Sequence, residues 1–402
     1  MTHKLDARTM PELFAGRYLS QGMKRYAALI IFIFLVPYAA SVYKGLGVLF
    51  SSIFTGASPT LCMAIVAILT CAYLVLGGYV ATSMNDFIQG LIMIVGLVAL
   101  IVILVTRPEA GGLAAATEKL AAADAGLTDF FGGSNFKLLI PNILLTSFGV
   151  WGMPQMVHKY YAIKDEKSIR IATVVSTLFA LFIGVGAYFS GSLARLFVAA
   201  DESGMPAVAG GYDGAVPAML MAALSGGVFQ NIILGVILLL LLSASMSTLA
   251  SVVLSSSSAV SIDLIQEIRP AIRPGPQLLV TRGLCVLFIA CSFFFATMNI
   301  SFIVNLMSFS WGIVAGSFIG PFLWGLYGKW VTKAGAWAGL LSGLVVVGGA
   351  LLYFTSSMGF AAAKALAPQM GVSAMALSLL AVPVVSLFTK KFEKAHTDMI
   401  FS

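Results

Sequence analysis

Ten apolar runs, each long enough to cross a bilayer as a helix, constrain this chain more than any other feature. They lie at about Tyr26–Phe50, Pro59–Leu76, Phe87–Val105, Leu138–Val157, Ile171–Leu193, Phe229–Leu254, Leu278–Met298, Ile303–Tyr327, Gly335–Tyr353 and Val372–Phe388. A helix needs roughly 20 residues to span the hydrocarbon layer. Inside that layer every backbone polar group must be satisfied by the segment itself, which leaves helices or closed barrels. With 59% hydrophobic and 10% charged residues, the chain has no material for a separate soluble core. The fold class is therefore an all-α polytopic membrane protein of about ten transmembrane helices. It reads as one membrane domain over 1–402, with a polar segment at 1–25 and a basic tail at 390–402.

The basic residues orient it. With the amino terminus placed inside, seventeen fall in inner segments: Lys4, Arg8, Arg17, Lys24, Arg25, Lys159, Lys164, Lys167, Arg170, Arg269, Arg273, Arg282, Lys329, Lys333, Lys390, Lys391 and Lys394. Six fall outside: Lys44, Arg107, Lys119, Lys137, Arg195 and Lys364. That bias puts both termini in the cytoplasm of a multi-pass protein of the plasma (inner) membrane. The net charge of +7 then reflects topology and contact with anionic inner-leaflet lipid. It does not signal nucleic acid, because the cations are dispersed and no basic groove is interleaved with aromatics. Nothing marks an obligate protein partner. The first 25 residues are polar before the first apolar run begins, unlike a signal peptide.

Chemistry-bearing side chains are sparse. Cys62, Cys71, Cys285 and Cys291 lie in spans without metal or disulfide spacing. His3, His158 and His396 fall in cytoplasmic segments, so none serves a mid-membrane proton relay. No paired intramembrane carboxylates and no nucleophile–base pair occur, which argues against an enzyme.

Three places break the apolar monotony. Ser243–Ser258, SASMSTLASVVLSSSS, is rich in hydroxyls after the apolar run Ile232–Leu242. Hydroxyls there can meet a hard cation, or back-bond to their own helix and let neighbours approach. The fourth span carries Gly149, Gly152 and Pro154 in SFGVWGMPQMVHK. That pattern supports either a break that exposes backbone near the midplane or a plain proline kink. The eighth span, FSWGIVAGSFIGPFLWG, is dense in small residues plus Pro321 and suits close packing and hinge motion. Asp86 is a carboxylate at the edge of the third span, where it predicts an amino-terminal helix cap or a functional group at membrane depth. Of the outer loops, Thr106–Phe136 is Ala-rich and predicts a short surface helix. Ala199–Val228 bears Asp201, Glu202 and Asp213 without Lys or Arg, reading either as an acidic vestibule or as a solvated loop.

Five ordered motifs then resemble the sodium:solute symporters, a family that includes bacterial proline, pantothenate and sialic acid symporters and sodium-glucose transporters. LDARTMPELFAGRYLS (5–20) is similar to the loop before the third core helix, and GGYVATSMNDFIQG (77–90) to the Gly-Gly signature. GMPQMVHKYYAIKD (152–165) resembles the end of the sixth core helix. SASMSTLASVVLSSSSAVSIDL (243–264) resembles the eighth, and GLYGKWVTKAGAWAG (325–339) the carboxy-proximal signature. That last motif departs from the family at Trp330, where a basic residue is usual; Lys329 is the basic residue beside it.

The resemblance implies a leucine-transporter-type inverted-repeat fold and sodium-coupled symport of a small organic solute by alternating access. It implies a sodium site from the Ala244 carbonyl and the Ser247 and Thr248 hydroxyls, positions that share one helix face at i, i+3, i+4 spacing. A second sodium site would fall on Ser247, Ser251 and Asp86, although Ala250 stands where some members have a hydroxyl. The solute path would include Tyr38, Trp151, Gly152 and Gln155. The motifs lean toward organic-acid or pantothenate-like solutes over sugars. Members also have three helices before the loop with which this chain begins, so the resemblance implies an amino-terminally incomplete symporter; the alternative is a non-transporting truncated fragment of one.

Overall fold

The structure is a computed structural model that describes residues 5, 7–54, 56–130, 132–133, 136–161, 166–201, 204–224, 227–269, 273–298, 300 and 302–401. Helices succeed one another along it: α1 (Met10–Tyr18), α2 (Gln21–Ile53), α3 (Pro59–Thr106), α4 (Leu113–Ala123), α5 (Phe136–Phe148), α6 (Pro154–Tyr161), α7 (Glu166–Phe197) and α8 (Tyr212–Leu224). They continue with α9 (Val228–Val260), α10 (Gln266–Ile268), α11 (Pro274–Thr297), α12 (Ile303–Tyr327), α13 (Lys333–Met358), α14 (Phe360–Ala365), α15 (Ala367–Phe388) and α16 (Lys394–Phe401).

Local chemistry sets the starts. The Thr9, Ser58 and Thr332 side chains accept from Glu12 N, Leu61 N and Gly335 N, capping α1, α3 and α13. Proline stands in the first turn of α1 and α3, where its missing N–H is not needed. α1 stops at Leu19, which takes a left-handed conformation at φ 48°.

Among the described residues nine helical segments are long and apolar enough to cross a membrane. Nine of the ten predicted spans fall on them, and the remaining one, the fourth, is the interrupted helix α5–α6 described below. The predicted surface helix in the loop after residue 106 is α4.

Two expectations are corrected. The second and third spans, Pro59–Gly77 and Met84–Thr106, are two ends of one uninterrupted helix, α3. Gly77 and Gly78 are the weakest helix formers between them and no proline follows, so the i→i−4 bonding runs through. Asp86 therefore lies inside a helix and caps nothing; the side chains of 78–83 are outside the description. The predicted vestibule is likewise not an open cluster of acids. Asp213, in the first turn of α8, is buried and pairs with Lys44 of α2 at 3.0 Å, and Glu202 lies outside the described residues.

The chain divides into two compact units, Met1–Ser41 with Ile140–Ile163 and Ser251–Ser402, and Val42–Leu139 with Lys164–Ala250. The first is organised around α12, whose middle is almost wholly buried. Gly312, Gly316 and Gly320 recur every fourth residue and form one smooth stripe. A methyl at Gly312 would lie 2.8 Å from the Gly371 Cα, and one at Gly316 would lie 2.7 Å from the Ala374 Cβ; at Gly320 it would strike Ser378. Pressed this close, α12, α13 and α15 share hydroxyl bonds. Ser378 Oγ accepts from Gly320 N at 3.3 Å and donates to Gly339 O at 3.1 Å, while Ser342 Oγ donates to Gly316 O at 2.9 Å. Gly320→Val would force that seam apart, at roughly 3 kcal/mol by the usual cost of overpacking. A thermal melt in detergent should show a fall of several degrees; an unchanged midpoint refutes the seam.

In the second unit α3 packs against α7 and α9 through glycines. A methyl at Gly186 would meet the Leu97 side chain, and one at Gly96 would lie 2.8 Å from Leu240.

Candidate functional site

The interrupted helix follows from its sequence. α5 ends at Phe148, Gly149–Gly152 form a 3₁₀ turn, Met153 is extended at φ −87°, ψ 119°, and α6 restarts at Pro154. Proline brings no N–H to continue the ladder, and it pushes the preceding residue out of the helical region. The predicted break is real, and it is more than a kink. Gly152 is required there, since a methyl would sit 2.9 Å from both Ala315 Cα and Ala315 O of α12.

Gln155 follows the break. It is 2% exposed, and neither Oε1 nor Nε2 has a hydrogen-bond partner among the described residues. An unsatisfied buried amide costs about 1–3 kcal/mol. Trp311 of α12 lies against Gly149 and edge-on to Tyr38 at 5.6 Å, with its Nε1 also buried and without a partner. Tyr38 and Gly152 are buried as a packed path requires. Trp151 is not: it is 49% exposed and stacks edge-on to Phe148 at 5.3 Å. The structure thus draws Tyr38, Trp311 and Gly149 together and turns Trp151 outward.

On α9 the hydroxyl-rich segment stays helical beyond the expected end, through Val260. Ala244, Ser247, Thr248 and Ser251 are half-buried, while Leu249, Ala250, Val252 and Val253 are fully buried, so the polar positions occupy a distinct face. Thr248 Oγ1 donates to Ala244 O at 3.0 Å. That is the back-bond allowed for by the packing alternative; it adds to the helical bond on Ala244 O and leaves Thr248 Oγ1 its lone pairs to offer a cation. Ser255, Ser256 and Ser257 are buried within the helix. Asp86 is half-buried on α3.

Sequence reasoning missed a polar cluster at the far end of α9. After Val260 the helix widens into a π turn at Ser261–Ile265, whose extra residue re-aims the side chains. Asp263, fully buried, accepts from Thr9 Oγ1 at 2.9 Å and lies 3.5 Å from Lys24, which is 3.7 Å from Glu12; Arg25 pairs with Glu267 at 2.6 Å. In the sequence Asp263 shows only as the penultimate residue of a motif.

Arg17 reads in the sequence as one more inner charge, and it does far more. It is 1% exposed; its Nε donates to Gly325 O at 3.0 Å and its Nη2 to Gly328 O at 2.8 Å. The rings of Tyr18, Phe392 and Phe401 surround it. It thereby covers the carboxyl end of α12, where the helix dipole is negative. Burial draws the guanidinium below its ordinary range and pushes the Tyr18 phenol above its own, so Tyr18 stays a donor to Pro321 O at 2.6 Å.

A discontinuous span with an unpartnered polar group beside it and a hydroxyl-lined helix is the arrangement that secondary transporters use. Residues 2–343 match the profile of the Sodium:solute symporter family, and the chain belongs to that family. It is 29% identical over 393 residues to the osmoregulated proline transporter of Bacillus subtilis, covering 97% of this chain and 76% of that protein. It is 29% identical over 347 residues to the sodium/proline symporter of Haemophilus influenzae, covering 85% of this chain and 68% of that protein. A solved Na⁺-coupled sialic acid symporter, in a substrate-bound outward-open state, superposes with a TM-score of 0.69 at 19% identity, over 98% of this chain and 80% of that one. The fold is of the leucine-transporter type, and sodium is the coupling ion of the family.

Proposed function

We propose that the chain belongs to an importer of a small zwitterionic solute of the proline class, driven by the sodium gradient across the plasma membrane, with both termini cytoplasmic. The buried, unpartnered amide of Gln155 beside the α5–α6 break carries the reading. An amide offers both a donor and an acceptor, which suits a solute bearing a carboxylate and an ammonium, and the named activity of the Bacillus and Haemophilus relatives supports proline over organic acids. Sodium is assigned to Ala244 O, Ser247 Oγ and Thr248 Oγ1, an all-oxygen set suited to a hard cation. Asp86 and Ser251 are assigned to a second, conditional sodium site. Tyr38, Gly152 and Gln155 line the solute path in this reading, while Trp151 serves at its exposed margin.

Sodium binding to one conformation preferentially raises the population that binds solute, and coupling is that difference in affinity between states. The test is uptake of labelled proline into proteoliposomes under an inward sodium gradient, with potassium as control and unlabelled amino acids, carboxylates and sugars as competitors. Sodium-dependent proline uptake that cold proline suppresses supports the reading. Sodium-dependent uptake suppressed by a carboxylate or sugar but not by proline overturns the solute, and no sodium dependence overturns the coupling.

A further inference from the structure

We infer that the recess between the start of α13 and the segment after α15 binds the phosphate headgroup of an anionic glycerophospholipid. The recess, about 510 Å³, is lined by Lys333, Trp337, Thr389, Lys390, Lys391 and Phe392. Its floor is fixed, because Thr332 N donates to Ser386 Oγ at 3.1 Å and the Thr332 and Thr389 hydroxyls bond at 2.6 Å. Three lysines thus line one depression, and among the described residues none of them has a carboxylate within ion-pair distance. Lys333 gives one bond, to Leu19 O at 3.3 Å, and keeps two protons to donate. The carboxylates of the tail do not neutralise the site: Asp398 pairs with Lys329 at 3.8 Å, and Glu393 is exposed beyond Phe392. Three unpaired cations at one membrane-facing recess favour an anion beside them.

What selects a lipid over a free anion is the surface beside the lysines. Leu387 and Phe388, the last two residues of α15, are 75% and 84% exposed, and Val384 one turn earlier is exposed too. They offer an apolar wall to acyl chains directly next to the cations. Trp337, half-buried and edge-on to Tyr26 at 5.7 Å, stands where indole rings mark the level of headgroups. Basic pockets between helices at a membrane surface hold anionic headgroups in this way.

The experiment is a thermal-shift titration of the detergent-solubilised full chain with phosphatidylglycerol, phosphatidylcholine or inorganic phosphate. Phosphatidylglycerol should raise the melting temperature saturably while the other two do not. In K333Q/K390Q/K391Q its half-effect concentration should rise at least about tenfold. K329Q/K394Q removes charge from the same end outside the recess and should move it less than about twofold. Should the triple variant fail to fold, K391Q alone, at an exposed position, should still weaken the effect several-fold. Equal stabilisation by phosphatidylcholine, by free phosphate, or an equal loss in K329Q/K394Q overturns the site, as does an unshifted response in the lysine variants.

Discussion

Removing two hydroxyls from α9, in Ser247→Ala with Thr248→Ala, should raise the sodium concentration for half-maximal solute uptake by about 10- to 100-fold. Each oxygen ligand contributes on the order of 1 to 1.5 kcal/mol, and every 1.4 kcal/mol is a factor of ten in affinity. The chain should otherwise stay folded, because both side chains are half-buried and the one bond lost is a back-bond from Thr248 to Ala244 O within the helix. Thr248→Ser keeps the oxygen and should leave sodium dependence nearly intact. The measurement is initial uptake in proteoliposomes against external sodium, with a thermal melt of each variant alongside. An unchanged half-saturation in the double variant, with normal melting, would remove sodium from this helix face.

Arg17→Met should be among the most destabilising single changes in the chain. It takes the guanidinium from the Gly325 and Gly328 carbonyls, both on buried residues, leaving Gly328 O the Val331 N–H at 3.3 Å, and it empties the ring cage of Tyr18, Phe392 and Phe401. Hydrogen bonds to a charged group contribute roughly 1.5–3 kcal/mol each, so two lost together cost about 3–5 kcal/mol. Arg17→Lys reaches one carbonyl at most, because an ammonium is a point donor where the guanidinium is a planar fork. The expected order of melting temperature is wild type, then Lys, then Met. A Met variant that melts within a degree of wild type would mean that α12 ends well enough without the arginine.

Local rules made much of this protein legible. The break in the fourth span was readable because proline and two glycines act on the backbone of their own segment, whatever surrounds them. The shared face of Ala244, Ser247 and Thr248 was readable because helix geometry alone sets it. The glycine stripe of α12 announced close packing, although not which neighbours would press on it. The illegible features all depend on partners far along the chain. Asp86 looked like a cap until the backbone ran straight through it. Asp213 looked like a vestibule acid, although Lys44 neutralises it. Arg17 finds its acceptors 308 and 311 residues away, and Thr9 meets Asp263 across 254, separations at which no sequence pattern has reach.

By itself, then, the amino-acid order determined that the chain lives in a membrane as helices, where its spans lie and where one of them breaks, because hydrophobic length and backbone stereochemistry are properties of short segments. The tertiary structure alone decided which polar groups are satisfied and which are not. It paired Arg17 with the end of α12, buried Asp263 beside Lys24, left Gln155 without a partner and gathered three lysines around one recess, since burial and hydrogen-bond partnership exist only once distant segments share the same space.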